Sequence, residues 1–203
     1  RAQQYRWAKG TVQTARKLMG RIMSSDISVG QRIEAFFQLT PHFAYPLLVM
    51  LSVLLLPTLV LMPGSSNETM LMIDLPLLTA TTGSLAAFYM EAERAQGRSR
   101  LGAIVRMPML IAVGTGLAPH LAKAVFDGLR QMSGEFVRTP KQGTNSSRYK
   151  MRADMPWAEI TLSLISVCSV VASVKTGHCF ATPFAILFTI GYGYVAVLVA
   201  TEQ

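Results

Sequence analysis

Residues Phe43 to Met62 read FAYPLLVMLSVLLLPTLVLM, a run of 20 with no charge. A bilayer core about 30 Å thick takes about 20 apolar residues of helix to cross. This stretch therefore decides the class of the chain, and three others follow its lead. Met70 to Met90 carries one charge, Asp74; Pro156 to Val174 carries one, Glu159, near its start; Phe180 to Ala200 carries none. Pro46, Pro57, Pro76 and Pro183 fall inside or near the ends of these stretches. Membrane helices tolerate them because neighbouring groups satisfy the freed carbonyl. The expectation is an all-α membrane protein with four transmembrane helices plus cytoplasmic-side interfacial amphipathic helices.

Composition agrees. The chain has 203 residues, 51% hydrophobic and only 15% charged, against about 25% charged in an ordinary soluble domain. Its apolar residues come in long blocks, which excludes both a soluble globular domain and a disordered one. Cys168 and Cys179 stand eleven apart in apolar surroundings and give neither a metal-ligand spacing nor a disulfide framework. The first residue is Arg1 rather than Met, so the chain is expected to be cut from something longer, and no signal peptide is read from it. Membrane lipid is an expected partner; nucleic acid is not.

A fifth stretch, Leu101 to Leu121, is ambiguous because it contains Arg106, Pro108, Gly114, Gly116, Pro119 and His120. A charge in mid-bilayer costs about 2.5–3.5 kcal/mol on insertion scales. With four spans, residues 1–42 and 91–155 share one side and hold 7 and 11 of the 19 basic residues; the opposite loops hold only Lys175. That is a positive-inside pattern, placing 1–42 and 91–155 in the cytoplasm. Residues 101–130 are accordingly expected to be a re-entrant or interfacial helical segment of the inner leaflet. Four regions follow: 1–42 with interfacial helices, a helix pair over 43–90, an interfacial segment and loop over 91–155, and a second helix pair over 156–203.

From Thr11 to Met23, Val12, Ala15, Leu18, Met19 and Ile22 recur at helical spacing, with Gln13, Arg16, Lys17 and Arg21 on the other face. This basic amphipathic helix suits an anionic membrane surface; packing on another helix is the plainer alternative. Ser28 followed by Gln31 predicts a capping box opening a second short helix through Phe37.

Two clusters bear on chemistry. Gln3, Arg6 and Trp7 stand at i, i+3 and i+4, so a helix puts them on one face. A guanidinium fork suits a diphosphate, and an indole face suits the C–H face of a sugar ring; Trp and Arg are also ordinary interfacial anchors. The second cluster is Gly134-Glu-Phe-Val-Arg-Thr-Pro-Lys-Gln-Gly143. Arg138, Thr139 and Lys141 could present a hydroxyl and two cations to a phosphate, although a basic loop by itself is what the positive-inside rule supplies.

Taken together the clusters resemble a family. Gln-x-x-Arg-Trp ahead of an amphipathic helix and two spans is similar to the processive family 2 glycosyltransferases, which include cellulose, hyaluronan and chitin synthases and mannan synthase-like enzymes. Gln3, Arg6 and Trp7 match that motif in full. The cellulose synthases of the family have a gating loop, Phe-x-Val-Thr-x-Lys; Phe136, Thr139 and Lys141 match it, with Arg138 standing where the pattern has Val. The order of elements agrees over nearly the whole chain, and QQYRWAKG and FVRTPK look most like bacterial cellulose synthase or mannan synthase-like members.

The resemblance implies roles. Gln3 and Arg6 would contact the donor diphosphate and the acceptor end, and Trp7 would stack under the terminal acceptor sugar. Phe136, Arg138, Thr139 and Lys141 would form the loop that closes over the donor diphosphate, with Arg138 the departure that leaves the details of loop insertion open. It implies an inverting hexosyltransferase of the plasma (inner) membrane, using a nucleotide-diphosphate sugar, UDP-glucose or GDP-mannose, to extend a β-linked polysaccharide through its own channel. Accessory export subunits would be further partners. It also implies a preceding α/β catalytic domain, absent from this chain, that carries the catalytic Asp residues and a divalent metal, Mg or Mn. This chain alone is expected to hold no catalytic residue, to bind no metal and to transfer no sugar. Two other readings compete: a non-processive enzyme acting on a lipid acceptor, and a non-enzymatic membrane transport or export subunit.

Single residues weigh less. Asp74 is a lone acid within a span, four residues from its outer end, with functional and water-facing readings about equal. His120 is expected to be packing rather than a ligand, since no second ligand type stands at helical spacing. Gly191, Tyr192, Gly193 and Tyr194 favour close helix packing over channel lining.

Overall fold

The computed structural model describes residues 1–61, 67–131, 155–178 and 180–201. Among these the chain is all-helical. In order come α1 (Ala2–Ser24), α2 (Val29–Leu39), a 3-10 turn (Pro41–Phe43), α3 (Ala44–Leu61), α4 (Asn67–Ala95), α5 (Arg100–Arg130), α6 (Trp157–Thr176) and α7 (Thr182–Thr201). Four helices are long and apolar enough to cross a membrane: α3 together with its leading turn, α5, α6 and α7. The chain thus reads as a multi-pass membrane protein.

Three of the four expected spans coincide with these helices, and the segment 70–90 lies within α4. The difference is α5. Expected as a re-entrant or interfacial piece, it is one uninterrupted helix of 31 residues that runs through Pro108 and Pro119. At 1.5 Å per residue it is about 46 Å long. A re-entrant segment needs a break, and α5 has none. Arg106, the charge within this segment, donates from Nη2 to Glu93 Oε2 at 2.8 Å.

Local signals account for the helix ends. Ser28 caps α2: its hydroxyl accepts from the Gln31 backbone N–H, and the Gln31 side chain accepts from the Ser28 N–H, closing the predicted capping box. After α4, Gly97 takes φ +72, and the Arg98 N–H reaches the Glu93 carbonyl at 2.9 Å. Gly177 does the same after α6 with φ +75, letting the His178 N–H reach the Ser173 carbonyl at 2.9 Å. Both are left-handed stops that side chains disfavour.

The chain forms two compact units. The first comprises Arg1–Leu51, Leu117–Pro156 and Val197–Gln203. Its core is Ala8, Leu121 and Ala124, with Tyr5, Tyr45 and Leu117 packed against it. Here α1 lies on the last turns of α5, and α2 folds back on α1, where Arg32 donates to the Ser25 carbonyl at 3.0 Å. The opposite face of α2 is apolar and open: Val29, Ile33, Phe36 and Phe37 are all exposed.

The second unit comprises Ser52–Gly116 and Trp157–Ala196. Its helices approach through small residues. A Cβ at Gly116 would fall on the Gly191 carbonyl, and one at Gly191 would lie 2.5 Å from the Ala112 carbonyl oxygen. Such contacts let membrane helices gain dispersion energy where no hydrophobic drive exists. Ser52 and Tyr192, both buried, share a hydrogen bond of 2.9 Å. The buried face of α6 is Glu159, Leu162, Ser166, Ser169 and Ser173, and its serines bond back to carbonyls of their own helix.

Candidate functional site

The helix α1 carries the first cluster, and its geometry follows from a period of 100° per residue. Tyr5, Ala8, Val12 and Ala15 point one way; the mean direction of Gln3, Arg6 and Trp7 is roughly opposite, with Arg6 and Trp7 toward its two flanks. Ala8 and Val12 are fully buried and Ala15 nearly so. Gln3 is exposed, Arg6 half-buried, and Trp7 57% exposed. The three sequence-predicted residues are therefore brought together on the outward face of a helix whose other face is docked.

The docking is close because of Gly128. A Cβ there would lie 2.9 Å from the Lys9 carbonyl oxygen and 3.0 Å from Val12 Cβ. Polar contacts flank this crossing. Tyr5 donates its hydroxyl to the Asp127 carboxylate. Lys9 donates to the Gln131 side chain at 3.0 Å, Gln13 to the Gln131 carbonyl at 2.7 Å, and Arg16 to the Gly128 carbonyl at 3.4 Å. At the start of α1, Arg1 meets His120 Nδ1 at 3.3 Å, and the His120 ring lies 5.0 Å from that of Tyr5. Burial pushes the Tyr5 phenol up to about 12, helped by the hydrogen bond to Asp127 and by its negative charge.

This corrects one expectation about α1. Val12 and Ala15, read as part of a lipid-facing stripe, are covered by the chain itself. The apolar spacing was right, but its partner is α5. The outward face carries Arg6, Trp7, Thr14, Lys17 and Arg21, and the open apolar surface nearby belongs to α2. Its Phe36 and Phe37 border a cavity of about 620 Å³ completed by Pro41, Phe43 and Leu47.

The second cluster, Phe136, Arg138, Thr139 and Lys141, lies outside the described residues. Gln131, the last residue before 132–154, is tied to α1 twice, through Lys9 and Gln13. Asp74 falls within α4. His120 packs between Tyr5 and Arg1. Tyr192 is buried, whereas Tyr194 is 43% exposed and lines an apolar cavity of about 920 Å³ with Pro108, Ala112, Ile186 and Ile190. That lining suits hydrocarbon and offers a diphosphate nothing. Among the described residues, no group of three or more His, Cys, Asp or Glu side chains could hold a metal ion.

Sequence reasoning missed Tyr5, Asp127, Gly128 and Gln131. Tyr5 lies inside the Gln3–Trp7 motif, and its i+3 and i+7 neighbours, Ala8 and Val12, could have marked it as part of a buried stripe. The other three carry no local signal, since their partners lie 112 to 122 residues away. No protein-family model, curated protein or solved structure matches the chain.

Proposed function

We propose that this chain is the C-terminal membrane part of a processive family 2 glycosyltransferase, working with an α/β catalytic domain that precedes it. The observation that supports this best is the outward face of α1. Gln3, Arg6 and Trp7 stand together there, Gln3 and Trp7 exposed and Arg6 half-buried, while Ala8 and Val12 on the other side of the helix are covered. An amide and a guanidinium beside an indole plane can bind the two ends of a glycosyl-transfer site. The cation favours the leaving diphosphate as charge develops on it, and the indole covers the apolar face of an acceptor sugar.

In this reading Lys141 and Thr139 meet the donor diphosphate, and the helices of the second unit line the path of the product. The donor is UDP-glucose or GDP-mannose, the membrane is the plasma (inner) membrane, and 1–42 and 91–155 face the cytoplasm. A divalent ion in the catalytic domain would stabilise the same leaving group.

The test uses the full-length protein in membranes, with radiolabelled UDP-glucose and GDP-mannose. Trp7→Ala and Lys141→Ala are expected to abolish incorporation of label into polymer. Label arriving in lipid-soluble product instead would point to a lipid acceptor. Incorporation unaffected by both substitutions, or none by the wild type, would return the chain to the transport or export class.

A further inference from the structure

The first cluster is useful only if α1 is held at one rotation. A turn of a single residue position moves every side chain on it by 100°, which would carry Trp7 from the open face toward the flank. Most of what holds α1 lies beyond the motif. The Gly128 crossing is at Lys9 and Val12, and the contacts to Gln131 and the Gly128 carbonyl come from Lys9, Gln13 and Arg16. Within the motif's own turn, Tyr5 donates its hydroxyl to Asp127 of α5. Tyr5 lies between Gln3 and Arg6 in sequence, and the helix period turns it about 160° from Gln3 and about 100° from Arg6. Its ring is also seated against His120 and the Ala8–Leu121–Ala124 core, so the phenol has one direction in which to reach.

We propose that Tyr5 and Asp127 are a positioning pair that sets the rotation of α1 and so aims Gln3, Arg6 and Trp7 at a common ligand. The aiming role rests on reading those three residues as the group that meets the donor diphosphate and the acceptor sugar. The pair touches neither donor nor acceptor; it acts through Trp7 and Arg6. Tyr5→Phe keeps the ring in its place and removes only the hydroxyl, so the core stays filled. Asp127→Ala removes the acceptor, whereas Asp127→Asn keeps an acceptor oxygen without the charge.

Two readouts separate this role from simple stability. In the chain with Trp157→Phe, Trp7 is the sole indole, and its quenching by acrylamide reports how open it is. Tyr5→Phe and Asp127→Ala are expected to change the quenching constant by about twofold, because Trp7 would no longer be held at its 57% exposure. Asp127→Asn is expected to restore it, with helix content the same in all four. In the full-length protein, Tyr5→Phe and Asp127→Ala are expected to lower kcat/KM for the glycan acceptor by about tenfold, as small misplacements at a reacting centre do, and Asp127→Asn to restore it. Unchanged quenching overturns the proposal, as does normal acceptor kinetics in an active Tyr5→Phe enzyme. Altered quenching rescued by Asp127→Asn, in a full-length wild type that transfers no sugar, upholds the pair and removes the glycosyltransferase reading instead.

Discussion

Replacing Gly128 by alanine should loosen α1 from α5. The new Cβ would stand 2.9 Å from the Lys9 carbonyl oxygen, 3.0 Å from Val12 Cβ and 3.1 Å from Val12 Cγ1. None of these can step aside. The first is helix backbone, and valine is locked at χ1 by its branching. To restore an ordinary contact of 3.4 Å, α1 must retreat by at least the 0.5 Å separating 2.9 from 3.4 Å. The Arg16 bond to the Gly128 carbonyl, already 3.4 Å, would be lost with it. Overpacking of this kind costs about 1–3 kcal/mol, while alanine regains about 1 kcal/mol of helix propensity over glycine. The balance is a destabilisation of about 0–2 kcal/mol, centred on α1. Gly20 on the same helix has nothing within 4 Å of its would-be Cβ, so the same substitution there should stabilise by about 0.5–1 kcal/mol. Unfolding in mixed micelles with increasing SDS, followed by helix content and by amide exchange across 2–24, measures both. If Gly128→Ala unfolds at the same SDS fraction as Gly20→Ala, or a higher one, the close crossing of α1 and α5 is wrong.

Three further outcomes follow from the same contacts. Tyr192→Phe should cost about 0.6 kcal/mol and no more than about 1.7 kcal/mol, the range of hydrogen bonds between membrane helices; a larger loss in SDS unfolding would mean that the Ser52 contact does more than pair two hydroxyls. Tyr5 should make the first unit sensitive to alkali: between pH 10 and about 12 the unfolded chain releases the phenol proton and the folded chain keeps it. The folded state then binds more protons, so stability is full below pH 10 and declines as pH rises through 12, by about 1–2 kcal/mol after allowance for solvent screening; Tyr5→Phe should flatten that decline in pH-dependent unfolding. Cysteines placed at Ser99 and Gln131, in a chain with Cys168 and Cys179 replaced by serine, should both react with a membrane-impermeant thiol reagent from the cytoplasmic side if α5 lies along the interface; labelling from opposite sides would make α5 a crossing helix and end the sidedness read from the basic residues.

The amino-acid sequence by itself determined what is local. Apolar runs of about 20 residues with at most one charge are satisfied in lipid as helices, because every backbone group must bond within its own segment, and α3, α6 and α7 lie where those runs lie. The Ser28–Gln31 capping box is a contact between residues three apart, so its chemistry is legible in the letters. Gln3, Arg6 and Trp7 share a face for the same reason, the 3.6-residue period. What the tertiary structure alone decided is which faces are covered and by what. The period that marks Val12 and Ala15 as one stripe says nothing of whether lipid or α5 covers them, since both are apolar partners. Tyr5 and Asp127 are 122 residues apart, and the approaches of Gly128 to Val12 and of Gly116 to Gly191 join helices far apart in the chain. Pairings over such distances are set by how whole helices pack, and neither residue of a pair carries a local mark of its partner.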